Sequence, residues 1–264
     1  MDRRTFLAAP AVLAAATLSQ KADAAEQAMS QQLDRLIGLP WMCDVNTVAQ
    51  RIRGEAPDLL PPKNAPRALM GDDPRLPKMP SEPTLVDFFR LRFAPAGHLL
   101  QSANLARNHG YPEKIVFACL LHDIAVSAVL RGDHGYWGAQ LIEPYVDPEI
   151  TWAIRAHQSL RFFPDPAVGY EYPDLYLKLF GPDYKPEPYV VQAYQDARKH
   201  KWYMSARLIT MNDLYAFDPK TTLTIDAFID VIGRHFRQPK SGLGFDSSPV
   251  AHMWRSIIWP NNIL

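Results

Sequence analysis

The segment Phe117-Ala118-Cys119-Leu120-Leu121-His122-Asp123-Ile124 places an imidazole and a carboxylate side by side at the end of an apolar run. The run reads as a buried helix that starts beside Pro112 and continues through Ile115, Phe117, Leu120 and Leu121. Burying His122 and Asp123 at its end is costly unless a metal ion or hydrogen-bond partners compensate the lost hydration. The neighbouring sequence is therefore expected to supply that compensation.

The preceding helix is expected over Ala96 to Arg107, ending at Asn108-His109-Gly110. Two antiparallel helices joined near Gly110 can bring His98 face to face with His122. Downstream, His157 has Ile154 and Leu160 about one turn to either side, so its ring should point inward. Asp213 sits in an apolar stretch with Leu208, Ile209, Met211 and Leu214, and His134 lies between the two halves. Any one of these histidines is most simply a core residue, and the signal is the ordered set. Imidazoles with carboxylates and no thiolate suit iron, manganese or zinc. A shared Asp123 fits two ions, with His98, His122 and Asp213 around one and His134 and His157 around the other.

The rest of the chain reads as helices as well. Leu85, Phe88, Phe89, Leu91 and Phe93 form a helix face broken at Pro95. Further helices are expected over Trp137 to Tyr145, Pro148 to Leu160, Leu175 to Leu179, one long stretch from Pro188 to Leu214, and Ile225 to Phe236. No segment shows sustained period-two alternation, and no Gly-rich phosphate loop is present. The fold class is all-α. Residues 25–84 read as a short helical start and a proline-rich arm, residues 85–238 as the helical domain, and residues 239–264 as an irregular aromatic tail that either fills a helix groove or closes over a pocket.

Composition narrows the function classes. The chain has 264 residues, 47% of them hydrophobic, enough for one sizeable core, and 28 basic residues balance 28 acidic ones. That balance argues against nucleic acid as a partner and favours small molecules. Cys43 and Cys119 form no metal knuckle. Residues 1–24 combine Arg3 and Arg4, an apolar run from Phe6 to Leu18 and a small-residue ending at Ala24. They read as a cleavable export signal too short to span a bilayer, giving a periplasmic or otherwise exported protein with no stable membrane insertion after cleavage. Arg3-Arg4-Thr5-Phe6-Leu7 also resembles the twin-arginine signal of bacteria, a route for proteins that fold and take up cofactors before export.

The ordered set His98, His122-Asp123, His134, His157 and Asp213 resembles the six-ligand version of the HD-domain superfamily, over roughly residues 85 to 215. The resemblance implies an HD-type helical bundle with those six residues as metal ligands. The superfamily holds phosphohydrolases and also mixed-valent diiron oxygenases that cleave phosphonates or myo-inositol with dioxygen. His134-Gly135-Tyr136-Trp137-Gly138-Ala139-Gln140-Leu141 is similar to the HGxxGAxxL stretch of the phosphonate-cleaving oxygenases. His157-Gln158-Ser159-Leu160-Arg161-Phe162 resembles their His-x-x-x-Lys-Tyr segment, with Arg161 in place of a substrate-binding lysine. Asn212-Asp213-Leu214-Tyr215 resembles the segment around the last aspartate of the inositol oxygenases.

On this resemblance the chain is expected to hold two iron ions and to oxidise a small hydroxylated substrate, with or without an anionic group, using dioxygen. Catalysis would centre on His122 and Asp123. Arg161, one helical turn after His157, would hold a carboxylate or phosphonate, and Tyr136 would order the pocket. The alternatives are a manganese- or zinc-dependent phosphohydrolase and an exported binding or structural protein with a vestigial metal site. The spacing from His122-Asp123 to His134 is shorter than in the phosphonate enzymes.

Overall fold

The computed structural model describes residues 76–93, 96–128, 133–214, 216, 218 and 221–259; the stretch read as an export signal and nearly all of the proline-rich arm lie outside them. The described residues form an all-α bundle with no strand, only a single isolated bridge between Asp165 and Tyr170.

The bundle is organised around the apolar run. Helix α1 (Leu85–Leu91) starts at a reciprocal cap: Thr84 Oγ1 accepts from the Asp87 N–H, and Asp87 Oδ2 accepts from the Thr84 N–H. Helices α2 (Ala96–Asn108) and α3 (Glu113–Leu121) are joined at Gly110, whose φ of 70° is the left-handed conformation that closes a helix end. Every residue of α3 from Ile115 to Leu121 is buried, so this helix has no solvent face and is walled in by its neighbours.

Helix α4 (His134–Ile142) leads through a 3₁₀ turn at Glu143–Tyr145 to α5 (Pro148–Leu160), which Asp147 caps by accepting the Glu149 N–H at 2.8 Å. Helices α6 (Asp174–Phe180) and α7 (Pro188–Lys199) follow, then α8 (Tyr203–Leu214), buried along most of its length. Helices α5 and α8 pack on each other and on α3, and α8 also packs on α2. The helices that carry His98, His157 and Asp213 thus all pack on the run before His122. Arg207 locks two of them together: its guanidinium is fully buried and donates to the carbonyls of Leu160 and Phe163, capping the end of α5.

Three expectations need correction. The stretch from Pro188 to Leu214 is two helices, because His200 is extended (φ −78°, ψ 144°) and its Nδ1 accepts the Trp202 N–H. A local side-chain bond and the stacking of His200 on Trp152, 3.9 Å between ring centroids, replace the helical ladder there. The stretch from Ile225 to Phe236 is a 3₁₀ turn, Ile225–Phe228, followed by α9 (Ile229–His235). The tail is not wholly irregular, since it contains α10 (Ala251–Ile258). Trp254 of α10 is fully buried, donates its indole N–H to the Leu141 carbonyl at 2.9 Å and meets Phe88 edge-on. The described tail thus fills a groove between α1 and α4.

Gly135 sets how closely α4 approaches α5. A Cβ there would lie 2.7 Å from the Ile154 carbonyl oxygen and 3.3 Å from His157 Cε1. Gly135→Ala is expected to cost about 1–3 kcal/mol by overpacking, read from urea unfolding.

A surface contact gives a pH dependence. Arg234 donates two hydrogen bonds to Glu113, at 2.7 and 2.8 Å, and His235 adds a third, tying α9 to the start of α3. The Arg234 bonds foremost, with His235 assisting, hold the Glu113 carboxyl down at about 2 against an ordinary 4.5. The resulting stability is present above the ordinary carboxylate range and is lost as pH falls from 4.5 toward 2. Glu113→Gln is expected to lower the urea midpoint slightly at neutral pH, a difference that closes as an acid titration approaches pH 2.

Candidate metal centre

The six residues come from five places in the chain and meet at one point in the core. His98 lies on the first turn of α2, and His122 and Asp123 follow the last residue of α3. His134 opens α4 after Asp133 turns the backbone through a left-handed φ of 51°. His157 lies on the last turn of α5, and Asp213 near the end of α8.

Each of three imidazoles is oriented by a backbone carbonyl. His122 Nδ1 lies 2.7 Å from the Cys119 oxygen, His157 Nδ1 2.6 Å from the Ile154 oxygen, and His98 Nδ1 3.2 Å from the Ala216 oxygen. A carbonyl only accepts, so each of these Nδ1 atoms carries a proton and each ring turns Nε2 toward the centre. There the nitrogens converge: His98 Nε2 is 3.2 Å from His122 Nε2, and His134 Nε2 is 3.1 Å from His157 Nε2. Two ring nitrogens at that separation repel unless a proton or a metal ion lies between them. Two nitrogens bound to one ion at about 2.1 Å, with bond angles of about 90–110°, would lie about 3.0–3.4 Å apart.

The carboxylates complete two groups, His98, His122, Asp123 and Asp213, and then Asp123, His134 and His157, with ligand atoms within 4.8 Å of one another in each. Asp213 Oδ1 lies 3.0 Å from His98 Nε2 and 3.5 Å from His122 Nε2. Asp123 belongs to both groups: Oδ1 is 3.1, 3.6 and 3.5 Å from the Nε2 atoms of His134, His157 and His122, and Oδ2 is 3.8 Å from that of His98. Asp123 Oδ1 is buried yet accepts no hydrogen bond in formed geometry among the described residues. A buried carboxylate oxygen in that state, amid imidazole lone pairs, fits a metal ion.

The protonation equilibria carry the same imprint. Burial opposes charge on His122, but Asp123 and Asp213 outweigh it and raise the imidazole to about 9. Burial also opposes the charge on both aspartates, yet His122 and His134 around Asp123, and Arg161 and His122 around Asp213, hold these carboxyls well below the usual range. Burial dominates at His157 and lowers it to about 4, keeping a neutral ligand. Burial pushes the free Cys119 thiol up to about 12, so it offers no thiolate.

The other expected site residues divide. Arg161 is buried at the end of α5, with Nη1 3.3 Å from Asp213 Oδ2 and its guanidinium over the Tyr176 ring. Tyr136 stands away from the ligand atoms, 49% exposed on the outward face of α4 beside Trp137. It lines a cavity of 660 Å³ with Trp137, Trp152 and Phe162, and none of the six ligands lines that cavity.

Sequence reasoning missed the supports. Thr210 donates to the His157 carbonyl at 3.0 Å, and Gln158 accepts the Gly135 N–H, linking α4 to α5 beside both ligand histidines. The one signal available was spacing: His122 and His157 each bond the carbonyl three residues earlier, which for His122 is a carbonyl of the last turn of α3.

No protein-family model matches this chain, and no curated protein matches it.

The metal-free chain reloaded with divalent ions is expected to take up two per chain, counted by plasma mass spectrometry. His157→Ala is expected to retain about one, and Asp123→Ala fewer than one, since that change removes a ligand from both groups.

Proposed function

We propose that this chain is an HD-type dinuclear iron oxygenase that oxidises a small hydroxylated substrate with dioxygen. The observation that supports it most is the placement of Asp123 between the two groups, with Oδ1 within 3.6 Å of the Nε2 atoms of His134, His157 and His122 and Oδ2 3.8 Å from that of His98. A carboxylate so placed serves two ions at once. When bound, two irons would supply electrons for dioxygen chemistry and Lewis acidity toward a substrate hydroxyl.

The protein's part is to hold, orient and enclose. Carbonyl bonds to Nδ1 fix the rings of His98, His122 and His157 so that Nε2 needs no reorientation on binding. Of the six ligands, Asp123 and His134 retain the most exposure, 9% and 8%, while His122, His157 and Asp213 have none. Substrate approach is therefore assigned to the Asp123–His134 side, and the packed helices keep water from the other. Among the described residues Arg161 is a cation placed beside the candidate ligands, and it faces a carboxylate. The export reading of residues 1–24 belongs to the same proposal, with metal loading before passage to the periplasm.

The test is protein purified without oxygen from iron-replete cells and examined by Mössbauer and EPR spectroscopy. The expected result is two irons per chain forming a coupled Fe(II)/Fe(III) pair, with oxygen uptake on a panel of small hydroxy acids and polyols. Activity on phosphoesters with manganese or zinc, and no coupled iron pair, overturns the reading in favour of hydrolysis. Loss of stability with no turnover to lose, on changing His122, would indicate a vestigial site.

A further inference from the structure

The carboxylate of Asp213 is split between two environments. Oδ1 faces the imidazoles of His98 and His122, at 3.0 and 3.5 Å, whereas Oδ2, which like Asp123 Oδ1 accepts no hydrogen bond in formed geometry among the described residues, is ion-paired with Arg161 Nη1 at 3.3 Å. Both partners are almost wholly enclosed, with side chains 1% and 7% exposed, so the attraction is little screened. Arg161 is itself held in place from three sides. Its backbone N–H bonds the Gln158 carbonyl, its carbonyl accepts from Tyr170 Oη at 2.9 Å, and the Tyr176 ring lies 5.1 Å from its guanidinium carbon. The side chain has little freedom to leave Asp213 for an incoming molecule.

We infer that Arg161 is a positioning residue that reserves Asp213 Oδ2, so that Asp213 offers the metal centre one oxygen and leaves room for an exchangeable ligand. The inference rests on the dinuclear reading above. It separates Arg161 from the role of substrate anchor: an anchor acts only when substrate is present, whereas a positioning residue shapes the resting centre. It also accounts for arginine over lysine at this place, since a planar guanidinium can pair with a carboxylate and lie against the Tyr176 ring together.

The experiment uses the full chain loaded with two equivalents of Co(II), whose visible absorption weakens as coordination number rises, and azide as the probe of an exchangeable position. In Arg161→Met, Oδ2 is released to chelate. The expected result is a fall of about twofold in visible absorption and about tenfold weaker azide binding. Arg161→Lys, which restores a cationic donor near Oδ2, is expected to recover part of both signals. Should Arg161→Met fail to fold by circular dichroism, Arg161→Gln keeps a polar head in the same space and carries the same expectation. A resting spectrum and azide affinity unchanged from wild type overturn the inference alone and return Arg161 to the role of substrate contact. Wild-type protein that binds no Co(II) overturns the dinuclear reading and the inference with it.

Discussion

Four imidazoles and two carboxylates enclosed in an apolar helical core, with Nε2 atoms paired at 3.1 and 3.2 Å, form the constraint around which the rest of the structure is arranged. Such a cluster is unfavourable without a charge to organise it. In the metal-free chain a proton takes that part, which is why His122 holds one to about 9 despite complete burial. A site that draws a proton so strongly into its centre is electrostatically prepared for a cation, and a metal ion must displace that proton to bind.

The helices meet this constraint by being rigid and close. Helix α3 has no solvent face, so His122 and Asp123 emerge from it in a fixed direction. Helices α2, α5 and α8 wrap it and deliver His98, His157 and Asp213 from three sides. Helix α4 delivers His134 from a fourth, at a distance that the missing Cβ of Gly135 permits. The network of Arg207, Tyr203 and the Leu160 and Phe163 carbonyls then fixes the end of α5, where His157 and Arg161 project. Ligand geometry here depends on backbone placement more than on side-chain choice, which is the condition for a preorganised site.

The sequence was informative where chemistry and periodicity coincide. The six candidate ligands could be named because imidazoles and carboxylates on apolar helix faces are conspicuous, and α5 matched its expected span because Asp147-Pro148 starts it and apolar spacing runs to Leu160. Legibility failed where tertiary contacts override local preference. Nothing around Arg198-Lys199-His200-Lys201 signals that His200 will stack on Trp152 and break the helix. The proline and glycine residues around Val250 masked α10, although Ala251, Trp254 and Ile258 already carried a helical spacing. Arg161 was legible as a neighbour of His157, but its partner, 52 positions away at Asp213, is set only by the packing of α5 on α8.

Charge arithmetic links these features to the class of substrate. Once metal ions had displaced the ring protons, two carboxylates and four imidazole ligands would carry a charge of about −2, and Arg161 would bring their surroundings to about −1. Two divalent ions bound there would leave a strong positive excess in a low-dielectric core, and raising one to the trivalent state would enlarge it. The protein supplies no further anion among the six ligands, so the balance falls to oxygen donors arriving from solvent: hydroxide and the substrate. Asp213 held through one oxygen leaves space for such a donor, and Asp123 and His134 at the less buried side give it a way in. On the proposed reading the Arg161–Asp213 pair would not attract substrate itself; it would keep a protein carboxylate from occupying the place that an oxygen anion is to fill.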